Sequence, residues 1–171
     1  NINGNFNTLE EVIRNNLIVD EGDPFNEILF NKSINNLQSL GIFKKVESNI
    51  QKGSEDAFKV IDLNVEERPT GEISVAAGFG TDGETIGAGL KENNFLGKGV
   101  SLNTNFEITA ESIKGQFIYA KPNFNYSDNT LFTSFKSSTS DFLSDSGYKT
   151  SELGFSLGTK FEQFQNIYLS P

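Results

Sequence analysis

The chain has 171 residues and a formal net charge of −9, and it contains no Cys, His, Met or Trp. Without Cys or His there is no disulfide framework, no thiolate or imidazole metal ligand and no His-assisted Ser or Cys nucleophile. An acidic chain also lacks the basic footprint that binding to phosphates requires, so no nucleic-acid partner is expected. No apolar run is long enough for a transmembrane helix, but a spanning β-strand needs only about 9–11 residues of alternating character. Asn1-Ile2-Asn3-Gly4-Asn5 carry neither a basic nor an apolar leader region, so an export signal is expected to be upstream or absent.

Residues 1–68 read as a small α+β module. Thr8 is placed to cap a first helix, with Glu10 and Glu11 near the positive end of its dipole and Leu9, Val12 and Ile13 on one face. After the turn cluster Asp20–Pro24, a second helix fits Asn26 to Leu40. Its apolar residues Phe25, Ile28, Leu29, Phe30, Ile34, Leu37 and Leu40 mostly recur at three- and four-residue spacing. Gly41 suits the left-handed position beyond the helix end. Strand-like runs follow at Lys45–Gln51 and Phe58–Glu66, joined by Lys52–Asp56, with Phe58, Val60, Ile61, Leu63 and Val65 as core candidates. A short strand at Ile2 completes a β-α-α-β-β order with two helices on one side of a sheet.

This order and its landmarks resemble a POTRA domain, the periplasmic module of outer-membrane assembly and secretion proteins. The residues that carry the resemblance are Asn3-Gly4-Asn5 and Thr8 before the first helix, Glu21-Gly22 between helices, and Leu37–Phe43 after the second.

Glu66–Gly71 forms a short junction, in which Pro69 cannot donate to a ladder and ends the sheet. From residue 69 onward the chain reads as antiparallel hairpins: Ile73–Thr81, Glu84–Asn93, Gly99–Ile108, Ser112–Lys121, Asn129–Ser137, Tyr148–Lys160 and a strand from Gln163. Val100-Ser101-Leu102-Asn103-Thr104-Asn105-Phe106-Glu107-Ile108 shows the pattern best: Ser101, Asn103, Asn105 and Glu107 line water, while Val100, Leu102, Phe106 and Ile108 face an apolar medium. Ile73, Val75, Ala77 and Phe79 oppose Ser74, Ala76, Gly78 and Gly80 in the same way. Ile86, Ala88 and Leu90 oppose Gly87, Gly89 and Lys91; Leu153, Phe155 and Leu157 oppose Glu152, Gly154, Ser156 and Gly158. Ile118 and Phe132 fall on the wrong parity. With no helix to cover the apolar side, such a sheet is expected to meet lipid.

Gly78-Phe79-Gly80-Thr81-Asp82-Gly83 matches the G-x-G-x-x-G spacing, but a nucleotide site needs a helix after the strand, and here an alternating strand follows. Asp82-Gly83 instead signals a tight hairpin. Glu66, Glu67, Asp128, Asp141 and Asp145 have no metal-cage or acid–base spacing, and Lys91, Lys114, Lys136 and Lys160 are expected to be solvated on the polar face. No catalytic residue, cofactor site or metal site is expected, and the function is expected to be non-enzymatic.

Further phrases resemble the BamA family: Glu67-Arg68-Pro69-Thr70-Gly71 with Gly78-Phe79-Gly80 at the start of the barrel, Asn93-Asn94-Phe95-Leu96-Gly97-Lys98-Gly99 at its first inward turn, and Lys121-Pro122-Asn123-Phe124 at the next. The fold expected is thus a POTRA domain at 1–68 and, at 69–171, the first roughly six or seven antiparallel strands of a transmembrane β-barrel. Short periplasmic turns at Phe95–Lys98, Pro122–Asp128 and Phe161–Gln163, and a long outer loop at Ser138–Gly147, agree with that orientation. An odd, unclosed strand count suggests part of a larger barrel, since an open edge in lipid leaves backbone groups unpaired. The resemblance implies localisation to the bacterial outer membrane with the POTRA domain in the periplasm, and assembly of outer-membrane proteins. The first barrel strand, Ile73, Ser74, Val75, Ala76, Ala77, Gly78, Phe79 and Gly80, would pair with client strands. Unfolded outer-membrane proteins, lipid and assembly lipoproteins bound through the POTRA domain are the implied partners. A two-partner secretion channel or a passive pore is the alternative.

Overall fold

The computed structural model describes residues 1–19, 21–53, 59–80, 83–127, 129–144, 146–164 and 167–170. Asp20, the Ser54–Asp56 part of the expected turn, Phe58, the Thr81 end of the first hairpin strand, Asp82, Asp128 and Asp145 lie outside the described residues. The chain divides into two compact units, Asn1–Thr70 with Asn93–Gly99, and Gly71–Glu92 with Val100–Pro171.

The first unit runs β1 (Ile2–Asn3), α1 (Glu10–Arg14), α2 (Glu27–Ser39), β2 (Phe43–Lys52) and β3 (Lys59–Glu67). Its sheet has the order β1-β3-β2, with β1 parallel and β2 antiparallel to β3. The Asn26 side chain accepts hydrogen bonds from the Ile28 and Leu29 amides and so caps α2. At its other end Gly41 has φ +69°, the left-handed conformation that ends a helix without a Cβ penalty.

Ile13, Leu37, Ile42, Phe43, Val46, Leu63 and Val65 form the core. Burying an aliphatic side chain of this size contributes about 1.5–3 kcal/mol, so these residues hold the unit together. Several residues expected on buried faces point outward. Val60 is 42% exposed because alternation puts Leu63 and Val65 on the opposite face, and Ile28 is 79% exposed on the outer side of α2. Ser33 takes a buried place instead. Its hydroxyl accepts from the Ile18 amide at 2.8 Å and donates to the Leu29 carbonyl at 2.9 Å, leaving no polar atom unpaired.

The second unit is a seven-stranded antiparallel sheet: β4 (Gly71–Gly80), β5 (Gly83–Phe95), β6 (Val100–Thr109), β7 (Ser112–Lys121), β8 (Thr130–Phe142), β9 (Tyr148–Phe164) and β10 (Ile167–Leu169). The strands stand in sequential order from β10 to β4, and among the described residues the sheet does not close. A short 3-10 turn at Phe124–Tyr126 connects β7 to β8.

Two sequence expectations change here. The long loop expected at Ser138–Gly147 is shorter, since β8 continues to Phe142 and takes up its first half. Its polar residues pair across to β9: Thr139 and Ser151 hydroxyls lie 3.4 Å apart, Lys149 reaches Asp141 at 2.8 Å, and Phe142 meets Tyr148 with ring centroids 5.3 Å apart. The turn expected at Phe161–Gln163 is likewise part of β9, where Glu162 and Phe161 face Tyr168 and Leu169 of β10 in the ladder.

Candidate functional site: the first barrel strand and its root

Register assembles the two faces of the sheet. Ile73, Val75 and Ala77 of β4 stand opposite Leu90, Ala88 and Ile86 of β5. Farther along, Thr104, Phe117, Phe135 and Phe155 form one continuous row across β6 to β9, flanked by the row Phe106, Gly115, Ser137 and Leu153. These apolar residues are largely uncovered: Phe79 is 87% and Phe155 73% exposed. The opposite face carries the row Asn105, Gln116, Lys136 and Gly154, and the ion pair of Lys114 with Glu107 at 2.9 Å. Lys91 and Lys160 share that parity. A trough of about 640 Å³ lies on it, lined by Ser74, Gly87, Gly89, Asn105, Gln116 and Lys136 among others.

Ile118 and Phe132 do sit on the polar face, half-buried. Phe132 lies between Ala120 and Gly158, where one methyl group and a bare Cα leave room for its ring. Val100 departs from its expected exposure, since it is buried at the root of β6.

β4 is an edge strand. Among the described residues it pairs only with β5, through the ladder from Gly71 opposite Glu92 to Gly80 opposite Gly83. All of Ile73, Ser74, Val75, Ala76, Ala77, Gly78, Phe79 and Gly80 are exposed. Nothing lies within 4 Å of where a Cβ on Gly78 or Gly80 would sit, so the far end of the strand has little packing to hold it. A strand, β5, follows the glycine-rich segment where a nucleotide fingerprint would need a helix.

The root of β4 is built quite differently. Glu67, at the end of β3, accepts from the Thr8 amide at 2.7 Å, from the Asn7 amide at 3.0 Å and from Asn7 Nδ2 at 2.9 Å. The next residue, Arg68, donates through Nε to the Gly41 carbonyl at 2.6 Å and through its amide to the Ile42 carbonyl at 3.1 Å. Thr70 accepts from the Asn93 amide at 3.2 Å. Asn94 donates to the Thr8 hydroxyl at 2.9 Å and accepts from the Gly99 amide at 2.8 Å, while the Leu9 amide donates to the Gly97 carbonyl at 2.9 Å.

The turn Asn93–Gly99 is thereby a component of the first unit. Thr8 does not cap α1 as expected: the helix starts at Glu10, with Leu9 at its cap position and no side-chain cap bond. The Thr8 hydroxyl serves Asn94 instead. Sequence reasoning missed the roles of Glu67 and Asn94, whose partners lie 59 and 86 residues away.

Partial burial works to raise the Glu67 carboxyl, but the hydrogen bonds from Thr8 and Asn7 together outweigh it and hold its pKa below the usual glutamate value. A depressed carboxylate stabilises the fold above the unfolded pKa, about 4.3, and that contribution disappears as pH falls through the folded value. Glu67→Gln is therefore expected to destabilise the first unit by about 1–2 kcal/mol at neutral pH. In acid the variant should lose less further stability than the parent, as read by unfolding at stepped pH.

Among the described residues no group of acidic side chains could hold a metal ion. A separate cleft of about 380 Å³ in the first unit is lined by Leu17, Phe25 and Val60, with Arg14, Glu21, Asp23 and Lys59 among its polar positions.

Residues 1–68 match the POTRA family, described as a surface antigen variable number repeat. A provisionally named outer membrane protein assembly factor of Treponema pallidum is 34% identical over 66% of this chain and 14% of its own length. Outer membrane protein assembly factor BamA of Neisseria meningitidis serogroup B is 27% identical over 72% of the chain and 16% of its length. The crystal structure of BamA from Haemophilus ducreyi lacking POTRA domains 1–3 superposes with a TM-score of 0.78 at 25% identity, covering 94% of this chain and 31% of that one. CdiB from Escherichia coli shares the fold, with a TM-score of 0.65 at 16% identity over 96% of this chain and 33% of that one. The chain thus spans about a sixth or less of the curated relatives and about a third of the solved chains. Residues 1–68 are thus a POTRA domain, and the chain as a whole is similar in sequence and fold to part of a BamA-type assembly factor, its POTRA domain followed by antiparallel strands that do not close among the described residues.

Proposed function

We propose that the protein assembles and inserts β-barrel proteins into the bacterial outer membrane, with its POTRA domain in the periplasm, and that client strands pair with the edge of β4 from Ile73 to Gly80. The observation that carries this reading is β4 itself: an exposed, glycine-containing strand that stands at the edge of the sheet formed by the described residues, a sheet with one apolar and one polar face. An edge presents a row of backbone donors and acceptors that can pair with another extended segment, so the work is strand addition and not bond chemistry. Unfolded outer-membrane proteins and the lipid around the apolar face are the partners. Assembly lipoproteins would engage the protein through its POTRA domain.

A second reading, a POTRA-bearing secretion channel, draws on the fold shared with CdiB. The full-length protein reconstituted in liposomes tells the two apart. Under the assembly reading it accelerates insertion of a urea-denatured barrel protein, and a cysteine at Val75 forms a disulfide with a client-strand cysteine while one at Phe155 does not. Conductance or secretion with no acceleration of insertion would remove the assembly reading.

A further inference from the structure

The chain passes from one unit to the other at three peptide bonds: Thr70–Gly71, Glu92–Asn93 and Gly99–Val100. All three lie beside the hydrogen-bonded cluster of Glu67, Arg68, Thr70, Asn93 and Asn94 described above. We infer that this cluster is a root anchor for β4, which makes opening of the strand directional: β4 frays from Phe79–Gly80 and stops near Gly71. This rests on the reading of β4 as the client-pairing edge and specifies how that edge is regulated.

The physical case is a contrast between the two ends of one strand. At the root, Glu67 is held by Asn7 and Thr8, Arg68 by the Gly41 and Ile42 carbonyls, and Thr70 by the Asn93 amide. Asn94 bridges Thr8 to Gly99, so the far side of the β4–β5 ladder is fixed to the same loop as the near side. Charge-assisted bonds such as those to Glu67 and from Arg68 are the stronger kind, at about twice the strength of neutral ones. At the other end the ladder closes on Gly80 and Gly83, and the positions a Cβ would fill at Gly78 and Gly80 are open space. Local opening takes the path with the fewest packed contacts and weakest hydrogen bonds, which here leads inward from Phe79.

Glu67, Arg68 and Asn94 are thus positioning residues. They act on the client edge through the backbone of β4 and β5. A client strand added along the free edge of β4 would meet a root fixed in register and a Gly80 end free to move.

Hydrogen exchange on the full-length protein in lipid nanodiscs tests this. Among β4 amides bonded to β5, those at Gly71–Ile73 should exchange at least about tenfold more slowly than those at Ala77–Gly80. Asn94→Ala and Glu67→Gln should reduce that ratio at least about threefold while β7 and β8 amides keep their rates. If Glu67→Gln also speeds β7 and β8, Thr8→Val, which removes the hydroxyl that receives Asn94 and also reaches Glu67 while leaving both of those side chains in place, decides instead. Uniform exchange along β4 in the parent, or a gradient unchanged in the variants, overturns the anchor. Insertion of a denatured barrel protein is measured in parallel. A gradient that collapses in the variants of a protein that never accelerates insertion leaves the anchor standing and removes the assembly reading.

Discussion

Phe155→Arg is expected to destabilise the barrel by about 2–4 kcal/mol in a bilayer, whereas Gln116→Arg should change stability by no more than about 0.5 kcal/mol. The two positions lie in neighbouring strand rows but on opposite faces. Phe155 stands in the row Thr104, Phe117, Phe135 and Phe155, and Gln116 in the row Asn105, Gln116, Lys136 and Gly154. In water the ranking reverses: replacing a 73% exposed Phe by Arg on a soluble sheet removes an aggregation liability at no cost in burial. The sign of the Phe155→Arg effect therefore reports directly on the medium that covers the apolar face. Reversible unfolding of the full-length protein in lipid vesicles gives the measurement. A neutral Phe155→Arg would mean that lipid does not contact this row.

The same two-sidedness explains what could be read from the sequence. Where a strand separates water from an apolar medium, each residue's parity is decided by its chemistry, and β4, β6 and β9 were legible for that reason. Ser138–Asp141 was not, because its residues are polar on both faces and resemble loop composition. That stretch is strand because of what lies opposite it: Ser151 facing Thr139, Lys149 facing Asp141 and Tyr148 facing Phe142. Glu162 and Gln163 misled in the same way at the end of β9.

The edge position of β4 followed from counting hairpins, since neighbours in the chain are neighbours in the sheet. The root cluster could not be derived so. Nothing local to Glu67 distinguishes it from Glu66, which pairs with Lys44 at 2.6 Å on the surface. Its role depends on Asn7 and Thr8, across the whole first unit. Asn94 depends on a residue in the first helix's approach loop. The resemblance of Asn93–Gly99 to a family turn marked the segment as a unit but gave no reason for its glycines.

Gly97 supplies that reason, and its substitution carries the other large expected effect. Gly97→Val is expected to destabilise the first unit by about 3 kcal/mol or more, through two independent costs. The residue has φ +72°, where a β-branched side chain is strongly disfavoured. A Cβ there would also run into the Asn7 carbonyl, which is backbone and cannot rotate away. The loop that carries Asn7 is itself fixed by Glu67, so relief would require giving up the Leu9 amide bond to the Gly97 carbonyl, and with it the seat of the Asn94 side chain. Gly78→Val is the matched control. It adds the same side chain to a strand glycine with open space around it and no left-handed φ, and it should leave stability within about 1 kcal/mol of the parent. Denaturant unfolding of the full-length protein, followed by exchange at the Leu9 amide, separates the two variants. Equal stability of Gly97→Val and Gly78→Val would mean that the turn does not seat on the POTRA domain as closely as the geometry requires.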